Sequence, residues 1–204
     1  MARDPSMRPF RTVCPPVVAL LRFGSIGAPA QDQRPRARFD TDLGSFTVEI
    51  DAAKAPVTAA NFLRYVDAGR YDRASFYRVV TLENQPRDSI RIQVVQGGLG
   101  TRDTSARWEP IRHETTRETG LRHQDGAISM ARRAPGSASS EFFICIGDQP
   151  ELDFGGRRNP DGQGFAAFGR VVEGMDVVRA IHGRGKPESQ QLEAPVVIER
   201  VRRR

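Results

Sequence analysis

Cysteine is scarce in this chain, and its scarcity excludes one common way of holding a fold together. Only two cysteines, Cys14 and Cys145, occur among 204 residues. Two cysteines cannot build a disulfide framework. Cys145 lies in a strongly apolar run, which favours a small buried core residue over a nucleophile.

Histidine is almost as rare, which argues against a metal centre. None of the three histidines (His113, His123 and His182) has a second histidine at the helical spacing of a metal motif. The chain also lacks a Gly-x-Ser-x-Gly nucleophile elbow and a glycine-rich loop that would cradle phosphate between a strand and a helix. Metal-dependent and serine-hydrolase chemistry are therefore disfavoured, and we expect neither a metal nor a cofactor.

A long apolar run is missing too, because no segment reaches the roughly 18 consecutive apolar residues of a transmembrane helix. The first thirty residues nevertheless place three arginines before the mostly apolar stretch 13–21 and end at Ala30. This order is typical of a secretory signal cleaved after Ala30, and the alternative is a disordered extension. We expect an N-terminal extension and linker at 1–37, one domain at 38–204, and a periplasmic or secreted protein, with the cytoplasm as the alternative.

Charge of one sign is concentrated in only one place. The net charge is +6, but 31 basic residues face 25 acidic ones that are mostly interspersed. The run from Arg200 to Arg204 is basic and contains no aromatic residue, which favours a solvated tail over a nucleic-acid site. Specific nucleic-acid binding is not expected.

The residues that are abundant predict a mainly β fold. Nineteen glycines and fourteen prolines imply many turns. Helical spacing predicts one helix from Pro56 to a stop at Gly69 and a second at 174–182.

Polar, turn-rich segments interrupt the pattern at 81–91 and 155–164, and long loops of this kind often line binding sites. Runs of strand-like residues occur at 38–50 (a hairpin), 74–80, 90–96, 126–131, 141–147, 165–172 and 193–201. The pattern favours a closed antiparallel barrel capped by helices.

One arginine, Arg78, stands inside the apolar run 74–80, and a guanidinium is costly to bury unless something uses it. Period-two alternation pairs Phe76 with Arg78 on one strand face. It likewise pairs Val94 with Gln96, and Glu141 with Phe143.

If these faces converge, they form an apolar hollow with one guanidinium, one amide and one carboxylate at its edge, which suits a small ring such as proline. From the residues alone, an ion-paired Arg78 on a solvated face is an equally good interpretation.

Several ordered motifs together are more specific than any one of them. From about Phe39 to Val201 the chain resembles the cyclophilin family of peptidyl-prolyl isomerases, in its bacterial form. The motifs are Asn61-Phe62, Phe76-x-Arg78, Gln96-Gly97-Gly98, Ile128-Ser129-Met130-Ala131, Ser140-Glu141-Phe142-Phe143-Ile144, Leu152-Asp153, Phe168-Gly169-Arg170-Val171 and Gly174-Met175.

The resemblance implies an eight-stranded antiparallel barrel closed by two helices, which isomerises prolyl bonds without a cofactor. It implies that Arg78 is the catalytic arginine and that Gln96 positions the substrate. The remaining positions that it matches are Phe143 and Leu152, in the floor of the proline pocket, and Ala131 and Arg132, on the strand edge that binds the substrate backbone.

The sequence departs from the better-known family pattern around this pocket. Glu141 stands where glutamine is usual, Phe165 replaces a histidine at the rim, and Glu151 replaces a tryptophan that grips cyclosporin. The insertion at 81–91 leaves Gln93 and Val94 as the nearest matches for two apolar wall positions, with Ile92 as a substitute wall.

We therefore expect a monomeric prolyl isomerase that acts on unfolded or flexible protein segments. The alternatives are a non-catalytic proline-peptide-binding or chaperone module with the same fold, and a basic nucleic-acid-associated protein.

Overall fold

Eight antiparallel strands close into a barrel in the computed structural model, which describes Met1 and residues 34–100 and 105–204. The strands follow the order β1-β2-β7-β5-β6-β4-β3-β8 around the barrel. The strands are β1 (Arg36–Thr41), β2 (Gly44–Ile50), β3 (Ser75–Val80), β4 (Val94–Gly98), β5 (Ala127–Met130), β6 (Phe142–Cys145), β7 (Ala166–Glu173) and β8 (Gln191–Arg203), and the helices are α1 (Pro56–Asp67), α2 (Thr116–Thr119) and α3 (Met175–His182), with a short 3₁₀ turn at Pro150–Leu152.

Aromatic rings fill the inside of the barrel. Phe39, Phe46, Phe76 and Phe142 come from four strands, and Phe62 enters from helix α1. Their ring centroids lie 4.6 to 6.4 Å apart, which is the range in which aromatic pairs attract. The phenylalanine-rich composition therefore supplies the apolar area that closes the barrel around one core.

A second, smaller apolar cluster lies apart from this core, because neighbouring residues of a strand point to opposite faces. On β6, Phe142 and Ile144 belong to the main core, whereas Phe143 and Cys145 belong to the second cluster. Cys145 is fully buried there, and burial raises the pKa of its thiol, which confirms the prediction of a small core residue rather than a nucleophile.

The predicted barrel with its two main helices is confirmed, and most strand ends are right to within two residues. Strand β4 is the exception: it begins at Val94 rather than at residue 90. The reason is that Gln85, in the inserted segment 81–91, holds both the N–H and the C=O of Ile92 through its side-chain amide. The short helix α2 was not predicted, since four residues are too few to show helical periodicity.

The basic run at the C-terminus is not a solvated tail, so that expectation is wrong. Residues 200–203 belong to β8 and pair with β1. Arg203 forms a salt bridge with Asp67 at 2.6 Å, and Arg200 one with Asp72 at 3.9 Å. Two of these cations are thus already matched by carboxylates, which weakens the nucleic-acid alternative further.

None of the helices in the described residues is both long enough and apolar enough to cross a membrane. The predicted signal segment, its cleavage site after Ala30 and Cys14 lie outside the described residues.

We expect Phe142→Ala to lower the free energy of unfolding by about 3–5 kcal/mol, because it removes a fully buried ring from the centre of the core. Urea unfolding followed by circular dichroism measures the loss. Leu82→Ala is the control, since Leu82 is 43% exposed and should change stability little. A loss below about 1 kcal/mol at Phe142 would contradict the assignment of this core.

Candidate active site

A β-bulge in strand β3 decides where Arg78 points. Phe76 pairs with Gly97 and Arg78 pairs with Gln96, so two residues of β3 oppose one of β4 between these pairs. The extra residue is Tyr77, and a bulge of this kind redirects the side chain that follows it. Phe76 therefore lies in the barrel core while Arg78 lines an outer hollow. The prediction that Phe76 and Arg78 share a face is wrong for this reason.

Two side-chain amides hold the half-buried Arg78 guanidinium in place. Its Nη1 donates to Gln96 Oε1 at 2.7 Å, while Nε and Nη2 donate to Gln190 Oε1 at 3.1 and 2.5 Å. No acidic side chain within 34–100 or 105–204 forms a salt bridge with Arg78. Burial and the neighbouring Arg158 lower the pKa of Arg78, although an arginine stays charged at any physiological pH. Gln190 carries no sequence signal of its own, because it sits in a mostly exposed polar loop.

An apolar hollow of about 150 Å³ lies beside this guanidinium. Residues from six parts of the chain meet there: Ile92, Val94, Ala131, Phe143, Leu152 and Phe165 line it together with Arg78, Gln96 and Arg132. Val94, Phe143 and Leu152 belong to the second apolar cluster, so the hollow has a packed floor. Sequence-predicted residues from β3, β4 and β6, from the two positions that follow β5, and from the segments at Leu152 and Phe165 are thus brought together.

Gln93 does not join the hollow. Its backbone N–H donates to Gln149 Oε1 and its backbone C=O accepts from Ile146, and the residues that line the hollow on this side are Ile92 and Val94. The expectation that Gln93 forms a wall is therefore wrong, and Ile92 supplies that wall. Because alternate residues of an extended chain share a face, Ile92 and Val94 lie together and Gln93 points away.

Glu141 lies next to the hollow, in a wider groove of about 1,020 Å³. Its carboxylate accepts from the Tyr77 hydroxyl at 2.5 Å and the Gly100 N–H at 3.1 Å, and Arg107 lies 3.5 Å away. The Tyr77 oxygen in turn accepts from Gln96 Nε2 at 2.9 Å. Burial and the Glu141 carboxylate raise the pKa of Tyr77, so the phenol stays protonated and can donate.

Glu141, Tyr77, Gln96 and Arg78 therefore form one chain of hydrogen bonds. This chain orients the Gln96 amide with its oxygen toward Arg78. The negative charge of Glu141 therefore interacts with Tyr77 and Arg107 and makes no direct contact with the Arg78 guanidinium. Tyr77 was missed by sequence reasoning, because strict alternation places it on the face opposite to Arg78.

The glycines after Gln96 allow the backbones to approach closely at this point. A Cβ on Gly97 would lie 2.7 Å from the Phe76 ring, and one on Gly98 would lie 2.7 Å from both Glu141 Oε2 and the Ser140 carbonyl. Gly98 also adopts φ +140°, which L side chains rarely adopt. The two glycines of the motif are thus required by close packing, Gly97 against Phe76 and Gly98 against Glu141 and Ser140.

Arg132 and Phe165 form the rim of the hollow on the side of segment 155–164. The Arg132 side chain is almost fully buried; it donates to the Gly164 carbonyl and pairs with both carboxylate oxygens of Asp161 at 2.8 and 2.9 Å. Phe165 meets Phe143 edge-on, with 5.2 Å between ring centroids. Arg132 therefore uses its guanidinium to hold the 155–164 segment at the rim of the hollow.

A buried Ser-His-Asp arrangement lies beneath the floor. His123 Nδ1 is 2.8 Å from Asp153 Oδ1, and Nε2 is 3.0 Å from Ser129 Oγ. Burial acts to raise the pKa of Asp153, but the hydrogen bonds from His123 outweigh it and hold that pKa below its usual value. Ser129 has no exposed surface and the His123 ring stacks on Phe143, so the group supports the floor and does not act as a nucleophile.

Glu151, at the position of the cyclosporin-gripping tryptophan in the family, is paired with Arg157 at 2.9 Å. It therefore offers a charged pair rather than an indole ring at this point. Residues 34–100 and 105–204 also contain no group of three His, Cys, Asp or Glu side chains placed to hold a metal.

A closed barrel that carries an apolar hollow, with a guanidinium at its edge and an adjoining groove, is suited to hold a small ring. The family model for cyclophilin type peptidyl-prolyl cis-trans isomerases matches residues 36–203, and the chain belongs to this family. Its activity is the cis-trans isomerisation of peptidyl-prolyl bonds, as the names of its relatives also indicate.

Two curated bacterial relatives are similar over most of their length. The chain is 38% identical over 167 residues to peptidyl-prolyl cis-trans isomerase cyp18 of Streptomyces antibioticus, covering 78% of this chain and 93% of that protein. It is 36% identical over 149 residues to peptidyl-prolyl cis-trans isomerase B of Escherichia coli K12, covering 71% and 82%.

Solved structures confirm the fold. A cyclophilin type isomerase of Cryptosporidium parvum superposes with a TM-score of 0.67 at 19% identity, covering 84% of this chain and 98% of that one. The same protein in the presence of the dipeptide Ala-Pro gives a TM-score of 0.64, covering 81% and 96%.

The Arg132–Asp161 contact predicts a measurable titration. Hydrogen bonds from Arg132 lower the pKa of Asp161 to about 2, so the contact is complete above the ordinary carboxyl pKa of about 3.9 and is lost as the pH falls toward 2. In Arg132→Ala the pKa of Asp161 should rise toward about 3.9, measured by NMR titration of its carboxyl carbon.

Arg157→Ala is the matched control for this titration, since Arg157 pairs with Glu151 in the same region. It should leave Asp161 titrating near pH 2. An Asp161 pKa that stays near 2 without Arg132 would show that the loop is held in another way.

Proposed function

We propose that this isomerase binds the proline ring of flexible or unfolded protein segments in the hollow and that Arg78 is its electrostatic catalyst. The observation that carries the proposal is a fixed guanidinium, without a carboxylate partner in the described residues, beside an apolar hollow. In the proposed assignment, Phe143, Leu152 and Val94 bind the ring and Gln96 positions the substrate.

The chemistry follows from the nature of the peptide bond. Amide resonance gives the C–N bond partial double-bond character and a rotation barrier of roughly 18–20 kcal/mol. At the top of this barrier the prolyl nitrogen loses its resonance and becomes pyramidal, so its lone pair can accept a hydrogen bond. A donor placed at that nitrogen therefore stabilises the transition state more than the ground state, which is the requirement for catalysis.

Arg78 meets the requirements for such a donor. Three of its five N–H bonds are taken by Gln96 and Gln190, which leaves one hydrogen on each Nη for a substrate. Because the acceptors are neutral amides, the positive charge is not cancelled by a direct ion pair. No covalent step and no proton transfer are needed, so the reaction is expected to vary little with pH between about 6 and 9.

The wider groove supports binding of a chain and not of proline alone. It shares Gln96, Ala131 and Arg132 with the hollow and continues past Tyr77 and Trp108. An extended peptide with its proline ring in the hollow could therefore continue along this groove. We propose that residues 131–132 supply the strand edge that bonds its backbone.

We expect Arg78→Ala to lower kcat/KM for a proline-containing peptide at least about 100-fold, because it removes the only donor proposed for the prolyl nitrogen. A protease-coupled or NMR exchange assay measures the rate. Arg179→Ala is the control: it removes an exposed arginine of helix α3 that pairs with Asp125, and it should leave kcat/KM unchanged.

Unchanged turnover in Arg78→Ala would remove the proposed mechanism. If the wild-type chain binds the peptide but does not accelerate exchange, the chain is instead the non-catalytic binding module.

We also propose that the chain acts in an exported compartment, on the strength of its signal-like first thirty residues. Cleavage after Ala30 predicts a mature chain that begins at Gln31. Mass spectrometry of the protein from its native host checks this. A mature protein that retains Met1 would contradict export through this signal.

A further inference from the structure

The second amide on Arg78 is that of Gln190, which lies immediately before strand β8. Its Oε1 accepts from both Nε and Nη2 of the guanidinium, whereas Gln96 accepts from Nη1 alone. One acceptor oxygen on two donors of a planar fork fixes the direction in which the fork points. Gln190 therefore controls the orientation of the group proposed to touch the prolyl nitrogen.

The neutrality of this acceptor is part of its effect. A carboxylate in the same place would form an ion pair with Arg78 and compete with the substrate for its charge. The inserted segment has two acidic residues, Glu83 and Asp88; Asp88 is paired with Arg158 at 3.1 Å, and neither forms a salt bridge with Arg78. The amide thus fixes the guanidinium without neutralising it.

Gln190 is itself held by the segment inserted at 81–91. Its Nε2 donates to the Asn84 carbonyl at 3.1 Å, and its own backbone carbonyl accepts from Val79 N–H at 2.8 Å. Because the Gln190 Nε2 donates to the Asn84 carbonyl, the Oε1 on the other side of the same amide faces Arg78.

Asn84 is well placed to hold Gln190, because it is buried and links three parts of the chain. Its Nδ2 contacts the carbonyls of Val79, Lys186 and Ser189 at 3.1 to 3.3 Å, and its Oδ1 accepts from Thr81 N–H at 2.9 Å. These bonds join the end of β3 to the loop that carries Gln190. The inserted segment is therefore anchored at the same place as the amide that it holds.

We infer that Gln190 is a positioning residue for Arg78, and that the inserted segment 81–91 sets the orientation of its amide through the Asn84 carbonyl. The inference rests on the proposed role of Arg78. It gives the insertion a function in the isomerase reaction that does not require it to touch the substrate.

The test compares Gln190→Ala and the near-isosteric Gln190→Met with Glu188→Ala, an exposed residue of the same loop. Both Gln190 variants should lower kcat about tenfold with KM unchanged, because the ring still binds while the donor is misdirected. Glu188→Ala should match wild type. In both Gln190 variants the Arg78 Nε–H should also exchange faster with solvent, observed by ¹⁵N NMR and assigned through its loss in Arg78→Ala. Because the methionine keeps the volume of the side chain, it provides the test even if the alanine variant fails to fold.

A double-mutant cycle separates this inference from the proposed function. If Gln190→Met lowers kcat in the wild-type background but has no further effect on the residual activity of Arg78→Ala, the inference is supported. Wild-type kcat in Gln190→Met, an equal loss with and without Arg78, or a change in KM alone would overturn it. Full activity in Arg78→Ala would instead overturn the proposed function itself.

Discussion

The site depends on keeping one positive charge fixed, half-buried and unneutralised. A guanidinium removed from water normally acquires a carboxylate partner, because an isolated charge is costly to desolvate. Here two amide oxygens take that place and the hollow beside them is apolar. The arrangement leaves the Arg78 charge available for a bound molecule. The surrounding contacts keep the guanidinium fixed and keep carboxylates away from it.

The carboxylates near the site show how the condition is met. Glu141 is bound by Tyr77 and lies near Arg107, and Asp161 is bound by Arg132. Each is matched by its own donor, so none forms an ion pair with Arg78. The glutamate at 141 is consequently compatible with the proposed role of Arg78, since its carboxylate is bound by Tyr77 and is linked to Arg78 only through Tyr77 and Gln96.

Both loop segments outside the barrel, 81–91 and 155–164, help to build the site around Arg78. Segment 155–164 forms a rim that Arg132 holds, and segment 81–91 supports the loop that carries Gln190. Arg158 links the two, because it pairs with Asp88 and donates to the Ile90 carbonyl. A barrel of short, regular strands offers little room for variation, so differences between relatives are accommodated in such loops.

The sequence by itself determined the barrel, its two main helices and most of the residues in the hollow. Period-two patterning, helical spacing and ordered motifs are local properties that a linear chain displays. The tertiary structure decided three further points. A bulge at Tyr77 separates Phe76 from Arg78, Ile92 replaces Gln93 as a wall, and Gln190 meets Arg78 from 112 positions away. A bulge breaks strict alternation, and a contact between distant loops leaves no periodic trace, so both become visible only once the strands are paired.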